Sequence, residues 1–278
     1  MPTLYVVPTP IGNLEDITVR ALRVLREVSL VLAEDTRHTR KLLSHYSISV
    51  PLRSYHQHNK LMSLDSIIET VRQGDVALVS DAGMPALADP GFELIRAARV
   101  AGVEVDVLPG PSAITTAVVA AALPAPGFLF VGFLPRRSGE RQALLLEVGA
   151  LPYTLVAYES PHRLVQTLQA IERTLGDRPV VVARELTKIH QEVTQGSAQD
   201  LLARFEREAP RGEITLLIAG APAVAVDRTA EATEDIRRRA REGEDRRDAI
   251  SAAVQTYGIS RNEAYALWLA AGAPESEC

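Results

Sequence analysis

Ala33-Glu-Asp-Thr-Arg-His-Thr-Arg-Lys41 sets a carboxylate pair, Glu34 and Asp35, beside Arg37, His38, Arg40 and Lys41, directly after an apolar run. At a helix start, Asp35 or Thr36 would cap the exposed amides. Capping leaves the basic groups unexplained, and phosphates on an anionic polymer are the ligand such a row suits. Tyr158-Glu-Ser-Pro-His-Arg163 and Ala183-Arg-Glu-Leu-Thr-Lys188 repeat the arrangement, placing Glu159 beside His162 and Arg163, and Glu185 beside Arg184 and Lys188. Arg136 and Arg137 follow Phe133-Leu-Pro in the same manner. Local pairing (Glu159 with Arg163, Glu185 with Arg184 or Lys188) accounts for any one of these. Taken together they predict a basic stripe on a chain of net charge −5, the electrostatic footprint of nucleic-acid binding. His56, His58 and Lys60 would extend the same surface. The spacing of the two histidines offers a metal too few ligands, and none is expected.

Three loops rich in Gly and Pro follow short apolar runs: Pro8-Thr-Pro-Ile-Gly-Asn13, Ser80-Asp-Ala-Gly-Met-Pro-Ala-Leu-Ala-Asp-Pro-Gly91 and Leu108-Pro-Gly-Pro-Ser112. Such residues let backbone amides and carbonyls approach a ligand with no Cβ in the way. The runs before them, Leu4–Val7, Val76–Val79 and Val103–Leu108, read as buried parallel strands, whose carboxyl ends open the ligand crevice of an α/β sheet. Any one loop could be a tight connection; three make a cleft.

The elements that must position these residues alternate through the first half. Ser29–Ala33 is a further strand, and helices are predicted after Asp16 or Thr18, over Thr36–Leu43, over Leu61–Arg72 and over Gly91–Gly102. This alternation argues for a mostly parallel sheet covered by helices. Pro124-Ala-Pro-Gly127 is the clearest punctuation, and a domain boundary is placed there. Beyond it, strands at Phe128–Phe133, Tyr153–Tyr158, Pro179–Arg184 and Glu213–Ala219, with helices at His162–Leu175 and Ser197–Glu208, predict a second α/β or α+β domain. From Asp227 the chain is charged and mostly helical, with a helix-turn-helix pattern over Asp248–Tyr257, Gly258-Ile-Ser260 and Arg261–Leu269. Its mixed charges suit a solvated helix surface, and a contact to RNA or to a second copy is the other reading. The division expected is 1–123, 124–224 and 225–278.

Composition narrows the class. The 278 residues suffice for real cores. One cysteine, Cys278, leaves no intrachain disulfide and no thiolate zinc site, which fits a reducing cytoplasm. No segment approaches the length of a membrane span and no leader is read at Met1-Pro-Thr, so a soluble cytoplasmic protein is expected.

The motifs, in this order, resemble the small-subunit (16S) ribosomal RNA cytidine 2′-O-methyltransferase family of the tetrapyrrole (corrin/porphyrin) methylase superfamily. The matching stretches are Thr9-Pro-Ile-Gly-Asn-Leu14 with Asp16-Ile17, Ala33–Thr39, Ser80-Asp-Ala-Gly83 with Asp89-Pro-Gly91, Pro109-Gly-Pro111, Gly132-Phe-Leu-Pro135, Glu159-Ser with His162-Arg163, Ala183–Lys188 and Gly212-Glu213. They span roughly residues 4–220. Met84 stands where the family usually has Thr, and Ala88 at a usually polar position. The resemblance implies a two-domain α/β fold of the tetrapyrrole-methylase kind (class III methyltransferase), here with a small helical C-terminal module. It also implies S-adenosylmethionine in the cleft between the domains, a homodimer, and methylation of a cytidine ribose in the decoding region of small-subunit rRNA, naked or in the assembled 30S subunit.

In-line displacement of a sulfonium methyl by a ribose hydroxyl needs alignment, a water-poor pocket and a proton acceptor, but no metal. Asp35, Glu159, Glu185 and Lys188 are the candidates for that acceptor; Lys188 would need a pKa depressed by burial beside other cations. Cofactor contacts are expected from Pro10, Gly12, Asn13, Ser80, Asp81, Ala82, Gly83, Asp89, Pro109, Gly110, Ser112 and Tyr158. Phosphate contacts are expected from Arg37, His38, Arg40, Lys41, Arg136, Arg137, His162, Arg163 and Arg184. The rival readings are a small-molecule methylase of the tetrapyrrole type, which would have little use for the basic stripe, and a non-catalytic rRNA-binding assembly factor.

Overall fold

A computed structural model describes residues 1–55, 64–124, 126–222 and 228–271. His56, His58, Lys60 and Cys278 lie outside the described residues. Residues 1–222 form one compact unit, and the C-terminal helices belong to a second.

The first sheet is parallel throughout, in the order β3-β2-β4-β1-β5, with β1 (Thr3–Val6), β2 (Leu30–Ala33), β3 (Leu52–Ser54), β4 (Val76–Val79) and β5 (Glu104–Val107). The chain leaves β1 toward β2 on one side and leaves its neighbour, the central strand β4, toward β5 on the other. The strand order therefore reverses between β1 and β4, and the loops after them diverge to leave a crevice. One face is covered by α1 (Val19–Glu27) and α2 (Thr36–His45), which bury Val24, Leu25, Leu42 and Leu43 against Val31, Ala77 and Val79. The other carries α3 (Leu64–Gln73) and α4 (Phe92–Val100), with Ile67, Val71 and Leu94 against Leu4, Leu32 and Leu78. Thr18 caps α1 by accepting from the Ala21 amide, and Asp35 caps α2 by accepting from the Arg37 amide. One expectation is corrected here. β5, read as buried, is an edge strand with Glu104 and Val107 exposed.

The second sheet is mixed, in the order β6-β7-β10-β8-β9: β6 (Phe128–Phe133), β7 (Thr154–Glu159), β8 (Pro179–Arg184), β9 (Glu192–Ser197) and β10 (Ile214–Ile218). β10 runs antiparallel to both β7 and β8. The ends of β6, β7 and β8 and the start of β10 thus meet at one rim. Alternate residues face opposite layers. Leu155, Ala157, Val180, Val182, Leu216 and Ile218 pack under α6 (Ser138–Gly149), α7 (Leu164–Leu175) and α8 (Ala198–Arg207). Val156, Val181, Ala183 and Leu217 meet Ile114, Ala117 and Ala121 of α5 (Ala113–Ala121), with Ile11 of the first half. α5 precedes the Pro124 punctuation in sequence yet packs on the second sheet, so it ties the two halves together.

Four elements are absent from the sequence reading: β3, α5, α6 and β9. β3 is only three residues long, and β9, Glu-Val-Thr-Gln-Gly-Ser, is a polar edge strand. α6 starts at Ser-Gly and carries no clear apolar stripe.

The C-terminal unit holds α9 (Thr229–Arg241), α10 (Arg246–Tyr257) and α11 (Arg261–Ala270) around Ile236, Ile250 and Trp268. Ser260 and Glu263 form a reciprocal capping box on α11. Asp235 takes both Arg238 and Arg239, and Glu244 takes Arg239, so much of the arginine run is paired within its own surface.

Candidate active site

Thr9 and Gly83 exchange two backbone hydrogen bonds, 3.0 and 2.9 Å, stitching together the loops that follow β1 and β4. The buried Thr9 hydroxyl donates to the Ser80 carbonyl at 3.1 Å, and Ser80 Oγ donates to the Gly83 carbonyl at 3.2 Å. Beside this stitch a cavity of about 330 Å³ lies between the two halves. The first half supplies Ile11, Ala82, Gly83, Met84, Leu87, Ala88, Asp89, Ser112 and Ala113; the second supplies Phe133, Tyr158 to Pro161 and Gly212 to Thr215. Its ionisable lining groups are Asp89, Tyr158, Glu159 and Glu213, all acids. A volume in the range of small-molecule sites, apolar walls and an exclusively acidic set of ionisable groups suit a cationic ligand with a large uncharged body.

The acids report on one another. Burial raises the Asp89 pKa and Asp81 raises it further, while a Ser80 hydrogen bond works the other way. Glu34 is likewise raised, by burial and then by Asp89, Asp81 and Asp35. Tyr158 is pushed up to about 12 by burial and by Asp89 and Glu213. Glu34 and Asp89 are thus raised by burial and by their acidic neighbours, whereas Asp35 of the same cluster is paired with Arg37.

Of the expected cofactor contacts, Ala82, Gly83, Asp89, Ser112 and Tyr158 line this cavity. Pro10, Gly12, Ser80 and Asp81 line a second one of about 300 Å³, together with Thr9, Leu14, His38, Thr39, Lys41 and Leu42. Asn13, Pro109 and Gly110 line neither. Asn13 caps the short turn Leu14–Asp16, and its amide donates to Thr187 Oγ1 at 3.1 Å. Pro109 and Gly110 are exposed, Gly110 abutting Pro8. The sequence reading does not assign Phe133, Ser160 or Gly212 to Thr215 to the site. Gly212-Glu213 carries a motif signal, but only the antiparallel direction of β10 brings that motif to the rim.

The proton-acceptor candidates are heavily engaged. Glu159 is buried, accepting from Thr167 Oγ1 at 2.6 Å and from the Ser160 amide at 2.7 Å, with Arg163 Nε at 3.6 Å. Asp35 is held well below the usual carboxylate range by its hydrogen bonds to Arg37. Lys188 Nζ donates to Glu185 at 2.8 Å and to Glu213 at 3.1 Å. The depressed pKa that Lys188 would need as a proton acceptor is therefore not what its surroundings give. Partial burial pulls the pKa down, but the hydrogen bonds Lys188 donates to two carboxylates outweigh that and raise it. Glu185 is lowered correspondingly, Lys188 and the Glu213 amide overcoming its burial.

The loop carrying this lysine is strained. Glu185 and Thr187 have φ of 51° and 65°, and for β-branched Thr187 such a conformation persists only where surroundings enforce it. The enforcement is visible. Thr187 N donates to Gln191 Oε1 at 2.6 Å, and Glu213 N donates to Glu185 Oε1 at 2.9 Å. Gly12 approaches so closely that a Cβ there would lie 2.4 Å from Lys188 Cγ. Gly212, at φ 81°, leaves room that a Cβ would take from the Glu185 carboxyl at 2.3 Å.

The expected phosphate ligands divide. Arg37, Arg40 and Lys41 line an open groove on α2 with Ser44 and His45. Arg136 and His162 are exposed at the ends of β6 and β7, and Arg137 is exposed but paired with Glu140. Arg163 instead donates to the Leu134 and Pro135 carbonyls at 2.7 and 3.0 Å, and Arg184 pairs with Glu192 at 2.7 Å. These two arginines brace the rim. Asp35, His38 and Asp81 bring ligand atoms within 4.8 Å of one another.

Residues 3–202 match the family model of tetrapyrrole (corrin/porphyrin) methylases. A Thermotoga maritima protein named ribosomal RNA small subunit methyltransferase I is 47% identical over 221 residues, covering 79% of this chain and 99% of its own. A namesake from Streptococcus pyogenes serotype M3 is 40% identical over 270 residues, 95% of this chain and 93% of its own. Among solved structures, a cobalt precorrin-4 methyltransferase superposes with a TM-score of 0.58 at 18% identity, covering 78% of this chain and 94% of its own. A putative diphthine synthase from Entamoeba histolytica gives 0.57 at 19%, covering 80% and 94%; at such identities the likeness is one of fold. The chain belongs to the ribosomal RNA small subunit methyltransferase I family, within the tetrapyrrole methylases.

Proposed function

We propose that this methyltransferase acts on small-subunit ribosomal RNA, moving a methyl group from S-adenosylmethionine to the 2′-oxygen of a cytidine ribose. The observation that carries the reading is the pairing of opposite fields on neighbouring loops: a cavity with only acidic ionisable groups, and the Arg37, Arg40 and Lys41 groove on the helix that begins beside it. The cavity fits a ligand whose sulfonium and ammonium are cationic and whose adenosine needs apolar walls. When bound, the cofactor supplies an electrophilic methyl group on sulfur. This chain's residues then do the rest. Asp89 and Glu213 attract the cation, Phe133 and Leu87 exclude water, and the α2 cations hold phosphates so that the ribose is aligned, an effect worth up to about 7–11 kcal/mol in well-oriented systems.

The same reading takes the protein as a cytoplasmic homodimer acting on rRNA or on the assembled small subunit. Phe128 and Phe133 are exposed on β6, an apolar strand at a sheet edge, and such an edge calls for cover. No helix among the described residues is long and apolar enough to cross a membrane. The test is methyl mapping on rRNA from cells with and without this protein, joined to radiolabel transfer by the purified enzyme. A ribose methyl on a small-subunit cytidine, lost on deletion, is expected. Transfer only to a porphyrin-like small molecule, or cofactor binding with no transfer, would overturn the reading.

A further inference from the structure

The second cavity is tied to both fields. Lys41 lines it and also lines the basic groove. Asp81 lines it, while the next residues, Ala82 and Gly83, face the acidic cavity. Asp81 also acts electrostatically on Asp89 of that cavity, so the two spaces meet along one short loop. His38 stands on this wall with Nδ1 3.6 Å from Asp81 Oδ2 and 3.9 Å from Asp35 Oδ2. With Nδ1 turned to the carboxylates, Nε2 is left at the opposite edge of the ring.

We propose that this second cavity receives the acceptor nucleotide of the RNA and that His38 accepts the proton of its ribose hydroxyl. The proposal rests on the RNA 2′-O-methylation reading above. As the 2′-oxygen bonds to the methyl carbon, the carbon–sulfur bond breaks with its electron pair retained by sulfur. The hydroxyl proton passes to His38 Nε2 and afterwards to water. Asp81 and Asp35 face the imidazole and stabilise the positive charge that arrives with the proton. Arg37 shares Asp35, whereas Asp81 accepts from the Asp35 amide through Oδ1 at 3.0 Å and turns Oδ2 to His38. Distances of 3.6 and 3.9 Å are loose, as catalytic hydrogen bonds are before substrate closes them. The other candidate acids and Lys188 are already engaged, whereas among the described residues the His38 ring has no hydrogen bond closer than these approaches.

Single-turnover transfer to small-subunit RNA, at saturating RNA and S-adenosylmethionine, tests the assignment in wild type, His38→Gln and Leu14→Trp. His38→Gln should slow transfer by about 10²–10⁴-fold and lose the ionisation through which the wild-type rate rises with pH. Calorimetric affinities for S-adenosylmethionine and RNA should stay within about threefold. Leu14→Trp should fill the second cavity, abolishing transfer while S-adenosylmethionine still binds. In the absence of the methyl donor, the His38 imidazole ¹⁵N resonances should move when the RNA is added. A smaller rate loss, an unchanged pH profile, or a deficit that excess RNA restores overturns His38 as proton acceptor; full turnover in Leu14→Trp overturns the cavity assignment. Failure of the wild type itself to methylate a ribose is a separate result, and overturns the reading beneath.

Discussion

Replacing Lys188 by Met should loosen the rim of the cleft before it affects any proton transfer. Nζ bridges Glu185 at 2.8 Å and Glu213 at 3.1 Å, with Lys188 and Glu185 side chains 28% and 20% exposed but Glu213 72% exposed. A hydrogen bond to a charged group at a mostly buried site contributes about 1.5–3 kcal/mol net. The solvent-screened pairing with Glu213 adds about 0.2–1 kcal/mol at most. Glu185 keeps the Glu213 amide as a donor, so the expected loss lies near 2 kcal/mol, or about 4–8 °C in Tm for a unit of this size. Glu185 is lowered by the pair, so its share exists above the unfolded carboxylate pKa and is lost as pH falls through the folded one. Lys188 is raised, so its share holds below the unfolded lysine pKa and is lost as pH climbs through the folded one. The Tm gap should thus be flat around neutrality and close in acid. A cycle with Glu185→Gln should show coupling of at least about 1 kcal/mol. An unchanged Tm with total loss of turnover would refute the clasp and return Lys188 to the role of proton acceptor.

Gly12→Ala should cost about 1–3 kcal/mol by overpacking, because the new Cβ meets Lys188 Cγ, Thr187 Oγ1 and the Leu186 carbonyl at 2.4, 2.9 and 3.0 Å; thermal unfolding reads the loss, and cofactor titration should show weaker binding through displaced Ile11. S-adenosylmethionine affinity should fall as pH drops through the raised Asp89 pKa, since a cation favours the ionised carboxylate and must expel its proton. Calorimetry across pH should find this slope flattened in Asp89→Asn and shallower for the demethylated cofactor, which lacks the sulfonium. Arg40→Ala with Lys41→Ala should weaken RNA binding at every sequence and reduce the salt slope by about 0.7–0.9 for each phosphate the variant no longer neutralises, leaving cofactor affinity unchanged.

What the sequence discloses depends on whether a feature is local. The loops after β1 and β4 are readable because Gly and Pro mark them and because apolar runs precede them. α1 is readable because its Thr18 cap and its apolar stripe lie within one stretch of sequence. The second half of the site is legible only as motifs. Nothing in Ile214–Ile218 says that it runs antiparallel, yet that direction brings Gly212 and Glu213 to the cavity. Charge misleads for a related reason. Arg163 and Arg184 look like phosphate ligands in sequence, but their partners, the Leu134 and Pro135 carbonyls and Glu192, come from other strands and loops. The pairing of Lys188 with Glu185 is legible in the sequence, but its second carboxylate, Glu213, 25 residues away, is not.

The division of charge also explains why a protein of net charge −5 can serve an anionic polymer. Arg163, Arg184 and Lys188 meet internal carboxylates or carbonyls and brace the rim, while Arg40 and Lys41, beside an Arg37 that pairs with Asp35, lie along one groove. The acids are concentrated beside the cavity, and the raised pKa values of Glu34 and Asp89 record burial first and then repulsion among carboxylates, the part that a cation would relieve. At about 5 Å and an effective dielectric near 20, one such charge pair is worth about 3 kcal/mol before salt screening. Loss of the positive charge on sulfur during transfer removes that attraction while the RNA phosphates keep theirs. On the function proposed above, exchange of the spent cofactor while the polymer is still held is the order of release that these fields favour.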